Sequence, residues 1–365
     1  MAPPAGRSRI TGRIPGLVPG PERVLTRSGE PVRKKMTEAP EPKDKLDAAT
    51  VSAVVVSGPE DDAERWRQVD WWRAEADVRR LRQRIFTASK AGDLPRVRRL
   101  QKLMLHSRAN TLISVRRVTE RNAGRLTAGV DGEVVLTPEA KMQLVDRVQH
   151  NAEPFKAMPV RRVYIPKRGS TKRRPLGIPV IVDRCHQARV LSALEPEWEA
   201  RFEPKSYGFR PGRGCQDAIQ AIYTVARGNA KRLWALDADL ASAFDLIAHG
   251  HILNQLGSFP AREMIRGWLK AGVVEQGRLH RTEDGVPQGG VISPLLLNVA
   301  LHGMEHAAGV RYHPTGSTAG RTMKDSPVLI RYADLSGSPD KSAYAERRVM
   351  PSDARDRPWL LGSGG

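Results

Sequence analysis

Two short apolar runs, each closing on an aspartate, do more than any other feature to limit what this chain can fold into. Leu233-Trp-Ala-Leu-Asp-Ala-Asp239 sets an apolar strand directly before Asp239, and far downstream Val328-Leu-Ile-Arg-Tyr-Ala-Asp334 repeats the design. Carboxylates at strand ends are common building blocks of metal sites, and two such strands side by side could hold two Mg²⁺ about 4 Å apart. An isolated aspartate after a strand is most often a turn or capping residue. The pair therefore takes its meaning from its surroundings.

Those surroundings are strongly basic. In 365 residues, 60 Lys and Arg face 40 Asp and Glu, a formal charge of +20 that would draw a polyanion to the surface. Nucleic acid is the first expectation and an acidic membrane face the competitor. No stretch approaches the ~18 uninterrupted apolar residues of a spanning helix. A hydrophobic content of 40% suits a packed enzyme domain. Cys185 and Cys215 stand too far apart for a zinc knuckle or redox loop and read as two ordinary buried thiols in a reducing compartment. With no apolar run of signal-peptide length at the N-terminus, the expected location is cytoplasmic.

Along the chain, residues 1–60 mix Pro, Gly, Ser and charge without periodicity and read as a disordered leader. Trp66, Val69, Trp72, Leu81 and Ile85 recur at helical spacing from about Asp61, and Gly92 breaks the pattern. Asp93 can cap a second helix, with Pro95 in its first turn and Val97, Leu100, Met104 and Val115 on one face. The two make a basic helical pair within residues 61–132. Arg161 to Ile181 read as short strands around a Gly169-Ser170 turn, with seven basic residues and no acidic one between Arg161 and Arg174. Helices then alternate with apolar runs at Leu233–Leu236 and Val328–Ile330, and a helix capped by Ser293 has Pro294 at its first position. The mixture is α+β.

Five blocks in order extend the reading. They are Ser114-Val-Arg-Arg-Val-Thr-Glu-Arg-Asn-Ala-Gly-Arg-Leu-Thr-Ala-Gly-Val-Asp-Gly132, Val163-Tyr-Ile-Pro-Lys through Pro179 with Asp183-Arg184, Ser206-Tyr-Gly-Phe-Arg-Pro-Gly-Arg-Gly214, the segment ending Ala-Phe-Asp245, and Gly285-Val-Pro-Gln-Gly-Gly-Val-Ile-Ser-Pro-Leu-Leu-Leu-Asn298. Together with Tyr-Ala-Asp334 they resemble group II intron reverse transcriptases from about residue 64 to residue 334. The resemblance implies a right-hand polymerase with an N-terminal helical extension, fingers at 133–232 and part of the palm at 233–334. It implies RNA-templated DNA synthesis by two-metal phosphoryl transfer. Asp239, Asp334 and the backbone carbonyl of Leu240 would hold Mg²⁺, on neighbouring strands whose carboxylates face one cleft. Lys167 and Arg174 would contact the triphosphate, Arg174 being preferred to Arg173 because it precedes Pro-Leu-Gly. Phe244, five positions after Asp239, would crowd the 2′ carbon of the incoming deoxynucleotide, where a core phenylalanine is the alternative. Gln288 and Gly289 would let the backbone approach the nascent pair. Arg116, Arg117, Arg121 and Arg125 would hold template or intron RNA by its phosphates; a merely soluble basic helix is the alternative.

The chain departs from this pattern at one decisive place. Group II enzymes carry two adjacent aspartates, and here Leu335 follows Asp334. Leu246 and Ala248 are milder departures. Residues 335–365 lose periodicity and read as an aberrant tail, so the palm is expected to be incomplete and the thumb absent, as in a truncated or frameshifted reading frame. Two functions stay open: an RNA-directed DNA polymerase and splicing cofactor by ancestry, with intron RNA, RNA template, DNA primer and deoxynucleoside triphosphates as partners, or a non-catalytic RNA-binding remnant or splicing helper.

Overall fold

Helices begin where a short polar side chain can take up free backbone N–H groups. The computed structural model describes residues 59–150, 155–166, 171, 173–227, 240 and 243–332. Its chain starts with α1 (Pro59–Arg67), α2 (Trp71–Lys90), α3 (Leu94–His106) and α4 (Arg108–Arg116). The expected cap is present: Asp93 accepts from the Arg96 N–H at 3.0 Å, and Pro95 lies in the first turn. The helical pair read from the sequence, however, is four helices. Asp70 accepts from the Arg73 N–H at 2.9 Å and Ser107 from the Asn110 N–H at 3.4 Å, so each starts a new helix where the apolar spacing runs on. Trp72 also departs from expectation. It is 81% exposed, while Trp71 meets the Trp66 ring edge-on at 4.8 Å.

After α4 come a π-turn at Arg117–Arg121 and a 3₁₀ turn at Ala123–Leu126, then α5 (Pro138–Gln149), started by Thr137 accepting from the Ala140 N–H. Next are β1 (Val160–Pro166) and β2 (Arg173–Ile178), the antiparallel hairpin expected here, with Ile165 opposite Arg174 and Pro166 opposite Arg173. The chain then enters α6 (Ile181–Glu199), buried on nearly every side, as suits a central helix. Its charges are satisfied internally. Glu197 accepts from Arg98 Nη1 at 2.6 Å and Gln101 Nε2 at 2.7 Å, and Arg184 donates to the carbonyls of Pro179, Gly124 and Thr127.

The remaining elements are α7 (Cys215–Ala226), α8 (Ala243–Leu246), α9 (His249–Leu256), α10 (Arg262–Lys270), β3 (Val273–Glu275), β4 (Arg278–His280), α11 (Ser293–Ala300) and α12 (Met304–Ala307). The sheet order is β2-β1-β3-β4, with β1 and β3 parallel and both outer pairs antiparallel. One apolar cluster joins α2, α3 and α6 to α9, α10 and α11 through Ile85, Met104, Leu194, Trp198, Ile252 and Ile265. A second joins α1, α4 and α5 to α6 through Trp66, Val115, Val145 and Ile181. Helix α6 serves both cores, so the N-terminal helices α1–α5 and the later helices α9–α11 rest on one axle. Among the described residues no helix is long and apolar enough to cross a membrane.

Three further expectations change. Val328–Ile330 form no strand; only Arg331 makes a single parallel bridge, to Ser206, because its neighbour is a loop and the ladder stops after one residue. Ser293 does not cap its helix, since its hydroxyl donates to the Pro287 carbonyl at 2.7 Å, although Pro294 does stand in the first turn. Cys185 is buried as expected, but Cys215, at the first position of α7, is half-buried. The leader to residue 58, the run Leu233–Leu236 and the tail from Leu335 lie outside the described residues.

Candidate active site

Asp239, Asp334 and Lys167 lie outside the described residues, whereas β1 as far as Pro166, Leu240 and the run as far as Tyr332 are described. Leu240, directly after Asp239, is 38% exposed. Arg331, three residues before Asp334, is anchored through both backbone and side chain. Its N–H donates to the Lys205 carbonyl at 3.0 Å, and its own carbonyl accepts from the Tyr207 N–H at 2.8 Å. Nη1 donates to Asn298 Oδ1 at 2.9 Å, while Asn298 Nδ2 donates to the Gly208 carbonyl at 2.9 Å. Asn298 is fully buried on α11, so it ties the 206–214 loop to the run that ends in Asp334.

Charge in this region is balanced out of water. Burial pushes the Arg331 guanidinium down to about 10, with Glu203 at 3.7 Å acting against it. Burial works to raise the Glu203 carboxyl, but His302 and the N–H groups of Gly303 and Glu305 outweigh it and hold it below the usual carboxylate range. Arg210 donates to Glu199 at 2.9 Å and to the carbonyls of Glu203 and Ser206. The 206–214 loop is thus a clamped platform. Sequence reasoning missed Glu203, Arg210 and Arg331 as its supports. The readable signal was Asn298, a polar residue ending an apolar helix.

On the other side of the site the 285–290 loop rests on the hairpin. The Gly177 N–H of β2 donates to the Gln288 carbonyl at 2.5 Å. Gly289 has φ +113°, and a Cβ there would lie 2.7 Å from the Gly177 carbonyl. The missing side chain at Gly289 thus leaves room for the Gly177 carbonyl of β2. Arg174 lies half-buried two residues before Leu176 on that strand. Phe244 is 8% exposed within the larger core, edge-on to Phe209 at 6.3 Å, and its carbonyl accepts from the Val286 N–H at 2.6 Å. The structure thus brings Arg174, Gln288 and Gly289 to one edge through β2, and links Phe244 to the same loop.

The four upstream arginines divide. Arg116 lies 4.4 Å over the Trp71 ring and 3.3 Å from Glu120, and Arg121 meets Glu75 at 2.7 Å. Arg117 and Arg125 are exposed.

The N-terminal helices, the mixed four-stranded sheet and the loop platform make an α+β fold of the reverse transcriptase kind. Residues 66–148 match the N-terminal domain of reverse transcriptase, and residues 165–334 match reverse transcriptase (RNA-dependent DNA polymerase). Protein YkfC of Escherichia coli is 35% identical over 237 residues, covering 62% of this chain and 61% of its own. Group II intron-encoded protein LtrA of Lactococcus lactis is 40% identical over 151 residues, 40% of this chain and 25% of that one. A 91 kDa protein in the cob intron of Schizosaccharomyces pombe is 31% identical over 214 residues, 57% of this chain and 26% of that one. The chain belongs to the reverse transcriptase family of the group II intron maturase type, and it spans 61% of the first of these relatives and about a quarter of the other two.

Proposed function

We propose that this chain binds intron RNA as a group II intron maturase does and carries a palm laid out for RNA-templated DNA synthesis, but that its polymerase step is lost. The single observation behind the loss is Leu335, a hydrocarbon side chain directly after Asp334 where the family has a second aspartate. Asp239, Asp334 and the Leu240 carbonyl offer hard oxygen donors of the type Mg²⁺ takes. Bound there, Mg²⁺ would neutralise the charge that develops as a primer hydroxyl displaces pyrophosphate. The Leu335 side chain can neither ligate a hard cation nor accept a hydrogen bond from its water shell.

The chain's own residues would otherwise suit the reaction. Lys167 and Arg174 are the cations for the triphosphate, and the Gly177–Gln288 bond sets the loop beside Arg174. Phe244 would restrict the sugar to deoxyribose, held by its core packing and by the bond from Val286. The clamp of Asn298 and Arg331 supports a fixed position for the run that enters Asp334. What remains without chemistry is RNA binding and help in splicing. Purified chain given an RNA template, annealed DNA primer, Mg²⁺ and deoxynucleotides should extend no primer detectably. Robust complementary-DNA synthesis, free of contaminating polymerase, overturns the loss.

A further inference from the structure

Among the described residues, two that are not glycine have positive φ: Phe209 at +59° and Gln276 at +50°. Gln276 has a local cause. With Gly277 it makes the two-residue turn between β3 and β4, which calls for positive φ at both positions. Phe209 lies in no such turn. A bulky aromatic residue rarely adopts this backbone, and a strained residue persists only where its surroundings hold it. Here both neighbours are pinned. The Gly208 carbonyl accepts from buried Asn298 at 2.9 Å, and Arg210 donates to Glu199 and to the carbonyls of Glu203 and Ser206.

Burial does not offset the strain, because Phe209 remains 47% exposed. What its ring meets is Phe244, at 6.3 Å between centroids and 69° between planes, the edge-to-face geometry that aromatic pairs favour. Phe244 stands in the four-residue helix α8, too short to fix a side chain by its own turns. Its backbone is held by the bond from the Val286 N–H to its carbonyl at 2.6 Å, and its ring lies at the edge of the larger core, 8% exposed. Phe209 therefore supplies a wall to that ring from a separate, clamped loop.

We infer that Phe209 is a positioning residue for nucleotide selection: the clamped 206–214 loop presses its ring against Phe244 and holds Phe244 at the angle from which it excludes a 2′-hydroxyl. The inference rests on the reading of Phe244 as the residue that restricts the sugar to deoxyribose, and adds what fixes that residue in place. An exposed aromatic ring can also stack on a base, but stacking favours deoxynucleotides and ribonucleotides alike and requires no contact with Phe244.

The test gives the full chain an RNA template, Mg²⁺ and an annealed DNA primer that ends in a dideoxynucleotide, so that nothing is incorporated. Equilibrium dialysis then measures the affinity for labelled dATP and for labelled ATP opposite a template uracil. Wild type should hold dATP ~10–100-fold more tightly than ATP, the range that a pocket wall reaches against one added hydroxyl. Phe209→Gly accepts φ +59° without strain and so keeps the loop; it should bring the ratio below about 3 by tightening ATP, with dATP changed less than ~2-fold. Phe209→Tyr keeps the ring and should keep the ratio within about 2-fold of wild type. Phe244→Ala should abolish the preference, and Phe209→Gly added to it should change nothing more, since one ring acts through the other. Circular dichroism shows that each variant keeps the fold. If Phe209→Gly keeps the wild-type ratio, or weakens dATP and ATP equally as loss of a stacking platform would, the inference is overturned and the reading of Phe244 stands. A wild type with no preference or no bound nucleotide, or a Phe244→Ala chain with full preference, overturns that reading and the inference with it.

Discussion

Asp183 and His186 stand one turn apart on α6 and titrate in opposite senses. Burial pushes the Asp183 carboxyl up to about 6; hydrogen bonds from the Met158 N–H and the Trp268 ring N–H act against it, and the charge of Asp131 adds to it. Burial pushes His186 down to about 4, and Arg189, 3.4 Å from its Nδ1, adds to the effect. As pH falls from the ordinary histidine value of 6.5 towards 4, the unfolded chain takes up a proton that folded His186 refuses, and stability is lost. Between about 6 and 3.8 the folded Asp183 takes up a proton before the unfolded chain does, and stability is gained. The two effects largely cancel in the wild type. Asp183→Asn keeps an acceptor for Met158 or Trp268 and removes the compensation. The variant should then lose on the order of 3 kcal/mol relative to wild type on acidification from pH 6.5 to 4, read from urea midpoints at each pH. Parallel pH curves for the two proteins would show that the pair is not coupled to folding in this way.

At the scale of elements, Gly289 is where a loop and a strand meet too closely for a side chain. Gly289→Ala would force a residue at φ +113° and bring its Cβ within 2.7 Å of the Gly177 carbonyl, which β2 cannot withdraw without losing its pairing to Leu176's neighbour strand. Gly132→Ala, at φ +73° with nothing within 4 Å, bears only the conformational cost. The first should destabilise by about 2–3 kcal/mol and the second by about 1 kcal/mol in denaturant unfolding; equal losses would place the loop off the strand. The hairpin itself was legible in the sequence, as was the Asp93 cap with Pro95, because turn and cap chemistry is local. The Ser107 break was not, since the apolar spacing from Leu100 to Val115 continues across it. Nor could spacing tell which of Trp71 and Trp72 faces inward, as adjacent positions both border the apolar stripe. The three-residue strands β3 and β4 and the Arg331 bridge depend on partners distant in sequence, Val160 for β3 and Ser206 for Arg331. For the candidate site, motif order singled out Arg174, Phe244, Gln288 and Gly289, which the 285–290 loop links in the structure, whereas the support from Asn298, Glu203 and Arg210 is a property of packing. Asp239 and Asp334, which the resemblance assigns to Mg²⁺, lie outside the described residues.

At the scale of the whole molecule, an excess of twenty positive charges has to be located before it predicts anything. Much of the basic side-chain inventory is structural. Arg98 is held by Glu197, Arg210 by Glu199, Arg184 by three carbonyls and Arg331 by Asn298, and none of these can release a counterion when a polyanion arrives. Among the described residues, the exposed cations that can include those on α2 and α3, Arg173 of the β1–β2 hairpin, Arg117 and Arg125. Salt dependence should therefore follow their number and not the net charge. Six to ten phosphate contacts lower affinity by roughly 10³–10⁵ between about 50 and 200 mM salt, and the chain binding a structured RNA should fall in that range. A titration of fluorescence anisotropy against salt, with RNA at concentrations below the dissociation constant, gives the slope directly. A slope near zero would mean that the contacts are apolar or that the basic faces do not touch RNA. A slope approaching about −18, which all twenty charges would give at ~0.9 each, would mean that the charge acts as a diffuse field and the ion pairs described here do not hold in solution.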